Sequence, residues 1–216
     1  MTIATYSDLQ SAVADWLNRQ DLTARIPDFI ALAEARFNRT IRTRDMIKRE
    51  TATTSNQFVP VPDDWLETYQ LELDPMQTGI PWDNLRYISP NEASLLKAHS
   101  AVGPTRSYTI IDSQFELIPA PNYNSTTGTS TVNLTCTYYA RIPALSNTNP
   151  TNWVLTKAPD LYLYSSLLNA APYLANDERI AVWSQMVSAI YDELMNDSER
   201  AERSRTFLVA RRRGFN

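Results

Sequence analysis

The sequence predicts an α+β protein with three parts: a four-helix bundle drawn from both chain ends, an inserted and mostly antiparallel β domain, and an extended C-terminal arm. Three observations carry that expectation. Apolar residues recur three or four apart near both ends, as in Leu9, Val13 and Trp16–Leu17, and again in Ile180, Trp183 and Met186–Val187. Between these regions the period shortens to alternation, most clearly in Val132, Leu134, Cys136 and Tyr138. The last stretch, SERAERSRTFLVARRRGFN, crowds arginines and apolar side chains into a segment too short to build a core. The expected organisation is a discontinuous helical domain from 1–48 and 152–200, an inserted β-rich domain over 49–151, and an arm over 201–216.

Thr5-x-x-Asp8 reads as a capping box with Asp in place of Glu, opening a first helix that frays at Asn18–Gln20. Thr23 is the expected cap of a second helix that tolerates Pro27 early in its course, with a buried stripe of Ile26, Phe29–Ile30, Ala33, Phe37 and Ile41. From Arg49 to Arg141 the signals are those of strands and turns. Strands are expected at Phe58–Val61 and Leu66–Leu73, the former at an edge or only an extended segment because Pro60 and Pro62 remove ladder donors. Ser89-Pro90 with Glu92 starts a short helix near 90–98. YTIID at 108–112 and FELIP at 115–119 suggest a hairpin, although its turn is not the favoured Asn-Gly type. NYNSTTGTST reads as an exposed tip, and VNLTCTYYARIP as a strand whose threonine-rich face is wetted or lightly packed. In the returning half, Thr156 is the expected cap of a helix taking Pro159 in its first turn, with Leu161, Tyr164, Leu168 and Ala171 as its stripe. Pro172 should bend or end that helix, and Asp177 should start the next, with Ile180, Trp183, Met186–Val187, Ile190, Tyr191 and Leu194 as its buried stripe.

The 216 residues suffice for one good core or two small modules, and 43% hydrophobic against 20% charged content describes a folded chain. A formal charge of −4 argues against general nucleic-acid binding, which draws its affinity from phosphate neutralisation. That average hides a basic end, with six arginines against two glutamates from Glu199 onward. One cysteine, Cys136, excludes an intrachain disulfide, and one histidine, His99, leaves little for a histidine-based zinc site or triad. No run approaches a membrane span and the start lacks a signal-peptide pattern, so the chain is expected to be made in the cytoplasm. The sequons at Asn38, Asn124 and Asn133 then carry no meaning.

No phosphate-cradling loop, nucleophile elbow, HExxH or cysteine cluster is present, and four glycines are few for a phosphate loop. Asp63, Asp64 and Asp74 suit turn and capping roles better than a magnesium site, and His99 suits a helix end. The pairs Tyr138–Tyr139 and Tyr162–Tyr164 suit core or interface anchoring better than sugar or base stacking. The expectation is therefore no enzyme, cofactor or metal. Arg25, Arg36, Arg39, Arg42 and Arg44 flank the second helix's stripe. They read either as a solvated face pairing with Glu34 and Asp45 or as a surface for a neighbouring subunit. Phe207, Leu208 and Val209, with Arg211, Arg212, Arg213 and Phe215, read either as a frayed basic tail or as an arm that orders on another protein's carboxylates and apolar pockets.

YSDLQSAVADWLNRQDLTARIPDFIALAEARFNR at 6–39, TYYARIPALSNTNPTNWVLTKAPDLYLYSSLLNAAPYLANDERIAVW at 137–183, and their order around a β insert resemble the head-to-tail adaptor (connector, head-completion) proteins of tailed bacteriophages. The resemblance covers most of the chain and rests on whole segments rather than on a catalytic motif. It implies a virion protein forming a ring, typically of twelve subunits, between the portal protein and the tail or nozzle, through which packaged DNA passes without sequence-specific binding. It further implies that an arm at Phe207–Asn216 embraces the portal. The insert is longer than in compact members. A second reading from the sequence is another tail-completion protein, or a glycan-contacting virion module that uses the insert.

Overall fold

The computed structural model describes residues 3–73, 83–99, 105–121, 131–174 and 178–203. It is a mixed helical and β structure that divides into two compact units, one from Met1–Asp45 with Ile142–Asn216 and the other from Met46–Arg141.

In the first unit, α1 (Tyr6–Leu17) opens on the expected capping box. The Asp8 N–H donates to Thr5 Oγ1 at 3.2 Å and the Thr5 N–H to Asp8 Oδ2 at 3.0 Å. The helix ends on Asn18 in the left-handed conformation, and it buries Leu9, Ala12, Val13 and Leu17. Thr23 does not cap the next helix. It lies in a 3-10 turn, Gln20–Arg25, and α2 (Ile26–Thr40) starts behind it with Pro27 in the first turn and no side-chain cap. Proline supplies the helical φ and lacks an N–H that would need a partner there, so the start tolerates the missing cap. The stripe from Ile26 to Ile41 is buried as expected.

The chain re-enters this unit at Ile142. Asn152 caps a short helix, α3 (Trp153–Lys157), accepting from the Leu155 N–H at 2.9 Å, and Thr156 lies inside it, so the helix with Pro159 in its first turn starts without the expected threonine cap. The Thr156 hydroxyl instead donates back to the Asn152 carbonyl. After Ala158, α4 (Pro159–Asn169) passes through the middle of the unit, packing on α1, α2 and the long last helix α5 (Arg179–Arg203). Its expected stripe was too narrow. Leu161 is buried, but so are Tyr162, Leu163, Ser165, Ser166 and Leu167, because partners lie on several sides rather than one. The helix gives way to a 3-10 turn at Ala171–Tyr173 that contains Pro172, as the missing proline donor requires. Asp177, the expected start of α5, lies outside the described residues.

The second unit is two four-stranded sheets. Its strands are β1 (Ile47–Thr54), β2 (Phe58–Pro60), β3 (Trp65–Leu73), β4 (Asp83–Asn84), β5 (Arg86–Tyr87), β6 (Ser107–Ile111), β7 (Gln114–Ile118) and β8 (Val132–Ala140). One sheet runs β1-β8-β3-β4 and the other β2-β7-β6-β5, all pairs antiparallel except β5 with β6. A single core joins Leu71, Leu134, Cys136 and Tyr138 of the first sheet to Val59, Tyr108, Phe115 and Leu117 of the second. The helix between β5 and β6 (Pro90–His99) belongs to a separate small cluster of Ile88, Ala93 and Ile118. The Glu92 N–H donates to Ser89 Oγ at its start, as the serine-proline signal predicts.

β2 is the expected proline-bearing edge. β1 is a strand that alternation did not reveal, because its IKRETATT side chains are largely exposed and it pairs with β8 alone. The β6–β7 hairpin turns on Asp112 and Ser113, both at positive φ (50° and 57°), so a two-residue turn of the primed kind forms here without Asn-Gly. The threonine face of β8 is not wet: Thr135 and Thr137 are each 8% exposed, beneath cross-strand neighbours on both sides. Asn133 at the start of the strand is half-buried, and the tip at 122–130 lies outside the described residues.

A buried polar cluster holds the returning segment. Glu34 of α2, 7% exposed, accepts from the Leu145 N–H at 2.7 Å and the Tyr162 hydroxyl at 3.1 Å. Asn152 Nδ2 donates to the Tyr162 oxygen at 2.7 Å and to the Pro143 carbonyl at 2.8 Å. One turn along α2, Asn38 Oδ1 accepts from the Ile142 N–H at 2.8 Å. The sequence reading made Glu34 and Asp45 surface partners of the arginines. Glu34 is instead spent inside, and Asp45 pairs with Lys157 at 2.6 Å.

Burial pushes the Glu34 carboxyl above its ordinary value, although its two hydrogen bonds pull the other way. The folded chain therefore holds the Glu34 proton over a pH interval in which the unfolded chain has lost it. The stabilisation is full below the ordinary glutamate value and is lost as pH rises through the raised one. Glu34→Gln keeps an acceptor and should flatten this fall, measured by thermal unfolding across the acid-to-neutral range. Glu34→Ala should cost about 1–3 kcal/mol for each buried donor that it strands.

Candidate functional site

Among the described residues, several titratable side chains are engaged within the fold. Asp64 Oδ2 accepts from Lys48 Nζ at 2.5 Å and its Oδ1 from the Tyr138 hydroxyl at 2.7 Å, while Glu50 Oε1 lies 3.1 Å from the same hydroxyl. Burial alone would raise Asp64, but the Lys48 and Tyr138 hydrogen bonds and the Lys48 charge hold it below the ordinary carboxylate range. Burial, the hydrogen bond to Asp64 and the two carboxylates push the Tyr138 phenol far up. Asp74 lies outside the described residues, and among those described no group of three His, Cys, Asp or Glu side chains is placed to hold a metal. Cys136 is buried in the sheet core with its thiol pushed up to about 12, which makes it a packing residue rather than a nucleophile. His99 is the last residue of its helix. Tyr138 and Tyr162 are core residues, and Tyr164 meets Trp16 edge-on at 5.7 Å. No helix among the described residues is long and apolar enough to cross a membrane.

What remains is surface, and the helical unit presents two kinds. The first is a cleft of about 350 Å³ between α2 and α5, floored by α4. Phe37, Leu161, Leu168 and Val187 give it an apolar base, with Arg36 at the α2 side and Ser184 and Ser188 opposite. Tyr191 closes one end by donating to the Thr40 carbonyl. Ser165 lines the cleft, 2% exposed, and its hydroxyl has no hydrogen-bond partner.

The second surface is helical. On α2, Asp28, Leu32, Ala35, Arg36 and Arg39 are exposed, with Leu32 at 56%. On α5, Val182 and Met186 are 52% and 44% exposed and lie on one face with Ala189 and Glu193, at spacings of four, three and four. Of the expected α5 stripe, Trp183 and Val187 are buried and Ile180, Ile190, Tyr191 and Leu194 are half-buried, whereas Met186 faces out. The sequence did hold this signal: adjacent Met186 and Val187 cannot share one narrow stripe, and Val182 and Ala189 define the second.

The arginines separate by role. Arg25 pairs with Asp28 at 3.5 Å in the first turn of α2. The Arg42 guanidinium donates to the Asn38 and Ile41 carbonyls at 3.0 and 2.6 Å, capping the end of its own helix. Arg36 and Arg39 project from the exposed face. Phe207, Leu208, Val209, Arg211, Arg212, Arg213 and Phe215 all lie outside the described residues.

Comparison with known proteins identifies the chain. The sequence model of the SU10 adaptor protein family matches residues 4–213. The chain belongs to that family. It is a phage structural protein of head–tail joining, and the match spans the helical and β units alike. A search of curated proteins finds no match.

The orphaned Ser165 hydroxyl carries a desolvation cost with nothing to offset it in the isolated chain. Ser165→Ala should leave the fold intact and raise its stability by about 1 kcal/mol, read from the denaturant midpoint at unchanged slope.

Proposed function

We propose that the protein forms a ring that seats on the capsid portal and prolongs the DNA channel toward the tail or nozzle. The observation that carries this reading is the family match along nearly the whole chain, from 4 to 213. The exposed apolar and charged faces of α2 and α5 support it, since a ring wall needs lateral contacts that an isolated subunit leaves open. In this reading α1, α2, α4 and α5 act as a four-helix bundle that makes the wall, and the β unit of Met46–Arg141 is the insert that meets tail or nozzle components. Arg25, Arg36 and Arg39 lie toward a neighbouring subunit, while Arg42 serves its own helix end. Twelve copies complete the ring. Packaged DNA slides through it, because scattered carboxylates repel phosphate where a basic lining would hold it. The segment 201–216 is the arm that docks on the portal, with phenylalanines as anchors and arginine forks on portal carboxylates. No catalytic step or cofactor is involved.

Mixing the purified protein with purified portal and imaging by electron microscopy tests the placement. Rings on the portal vertex are expected, and bare portals at near-physiological salt would overturn it. Deleting Phe207–Asn216 should leave a folded, soluble chain that no longer decorates the portal. Replacing Arg211, Arg212 and Arg213 by alanine should weaken attachment by about 2–5 kcal/mol if one of them forms a desolvated pair. A loss of only about 0–1 kcal/mol would place all three at a wet rim.

A further inference from the structure

Within that ring-forming reading, on which this step rests, we infer that the two exposed helical faces are the two halves of one contact: the Val182–Met186–Ala189–Glu193 face of α5 in one copy docks against the Leu32–Ala35–Arg36–Arg39 face of α2 in the next.

The occupant is a second copy because each face supplies what the other lacks. The α2 face is apolar at Leu32 and Ala35 and basic at Arg36 and Arg39. The α5 face is apolar at Val182, Met186 and Ala189 and acidic at Asp192 and Glu193. Among the described residues none of these four charged side chains has an ion-pair partner. The spacings also agree. Leu32 precedes Arg39 by the same number of residues that separate Met186 from Glu193, about 10.5 Å along either helix at 1.5 Å per residue. With the helices parallel and Leu32 against Met186, Arg39 falls beside Glu193, and Arg36 beside Ala189 and Glu193.

Neither face suits a copy of itself. Two α2 faces would set Arg36 and Arg39 against their own images, and two α5 faces would do so with Asp192 and Glu193. The contact is therefore heterologous. Each copy offers one face in each direction, and such contacts propagate until rotation closes them into a ring.

Disulfide trapping tests this on the full chain, with Cys136 silent because it is buried. Leu32→Cys and Met186→Cys are made in separate chains, mixed at millimolar concentration and oxidised. The expected product is the mixed 32–186 dimer, far beyond the roughly twofold excess over each homodimer that random pairing gives; that statistical mixture, or no dimer, would overturn the pairing. Arg36→Glu with Arg39→Glu should lower the mixed yield about tenfold or more, and Asp192→Arg with Glu193→Arg in the other chain should restore it. All four positions are exposed, so circular dichroism should show each variant folded, and reversal without rescue would count against the pairing. Rings on the portal without the 32–186 cross-link would sink this contact and leave the ring reading standing. The cross-link without portal decoration would do the opposite.

Discussion

The Glu34 carboxylate reaches across a chain separation that nothing local could bridge. Together with Asn38 it grips the backbone at Ile142 and Leu145, where the chain re-enters the helical unit, and Tyr6 adds a third tie by donating its N–H to the Pro150 carbonyl at 2.8 Å. These bonds convert an extended, proline-bearing return into a fixed path, so that Asn152 arrives in place to cap α3 and orient Tyr162. The Tyr162 ring then packs edge-on against Phe37 at 5.1 Å, joining the polar cluster to the apolar core. A buried carboxylate is an expensive way to hold a loop. It works here because every buried donor in reach is matched, and an unmatched one would cost more than the bond returns.

The insert makes that grip affordable. Closing a flexible loop the length of residues 46–141 would cost about 4 kcal/mol on the logarithmic law. The insert is not a flexible loop, because its first and last strands, β1 and β8, run antiparallel in register from Ile47 opposite Tyr139 to Thr54 opposite Val132. The β unit therefore delivers its two ends side by side by its own folding. A discontinuous helical unit can tolerate an insert of this size when the ends leave and return together.

This arrangement also explains which parts were legible. The α1 capping box, the α2 stripe and the alternation of β8 are local codes whose partners lie within a few residues or on one uniform face, so periodicity finds them. β1 escaped because an exposed edge strand has no buried face to alternate. Thr23 and Thr156 have capping chemistry, but the helices they were expected to open, α2 and α4, both start with a proline in the first turn and no side-chain cap, whereas Asn152, whose backbone is extended, caps the short α3. The α4 stripe was drawn too narrow because one sequence cannot show how many neighbours a helix has. Glu34 looked like a surface partner for arginine for the same reason: its donors, Leu145 N–H and Tyr162, are more than a hundred residues away in the chain.

The surfaces follow from the same economy of partners. α4 packs against α1, α2 and α5, which bury most of its side chains and leave the unsatisfied Ser165 at the cleft floor. α5 is long, about 37 Å at 1.5 Å per residue, and it lies chiefly on α4. A helix that long, supported along one side, must present the rest of its circumference outward. An exposed Val182–Met186 patch broken by Gln185 and followed by carboxylates is small enough for a monomer to stay dispersed. It is also apolar enough to gain from being covered by a partner surface.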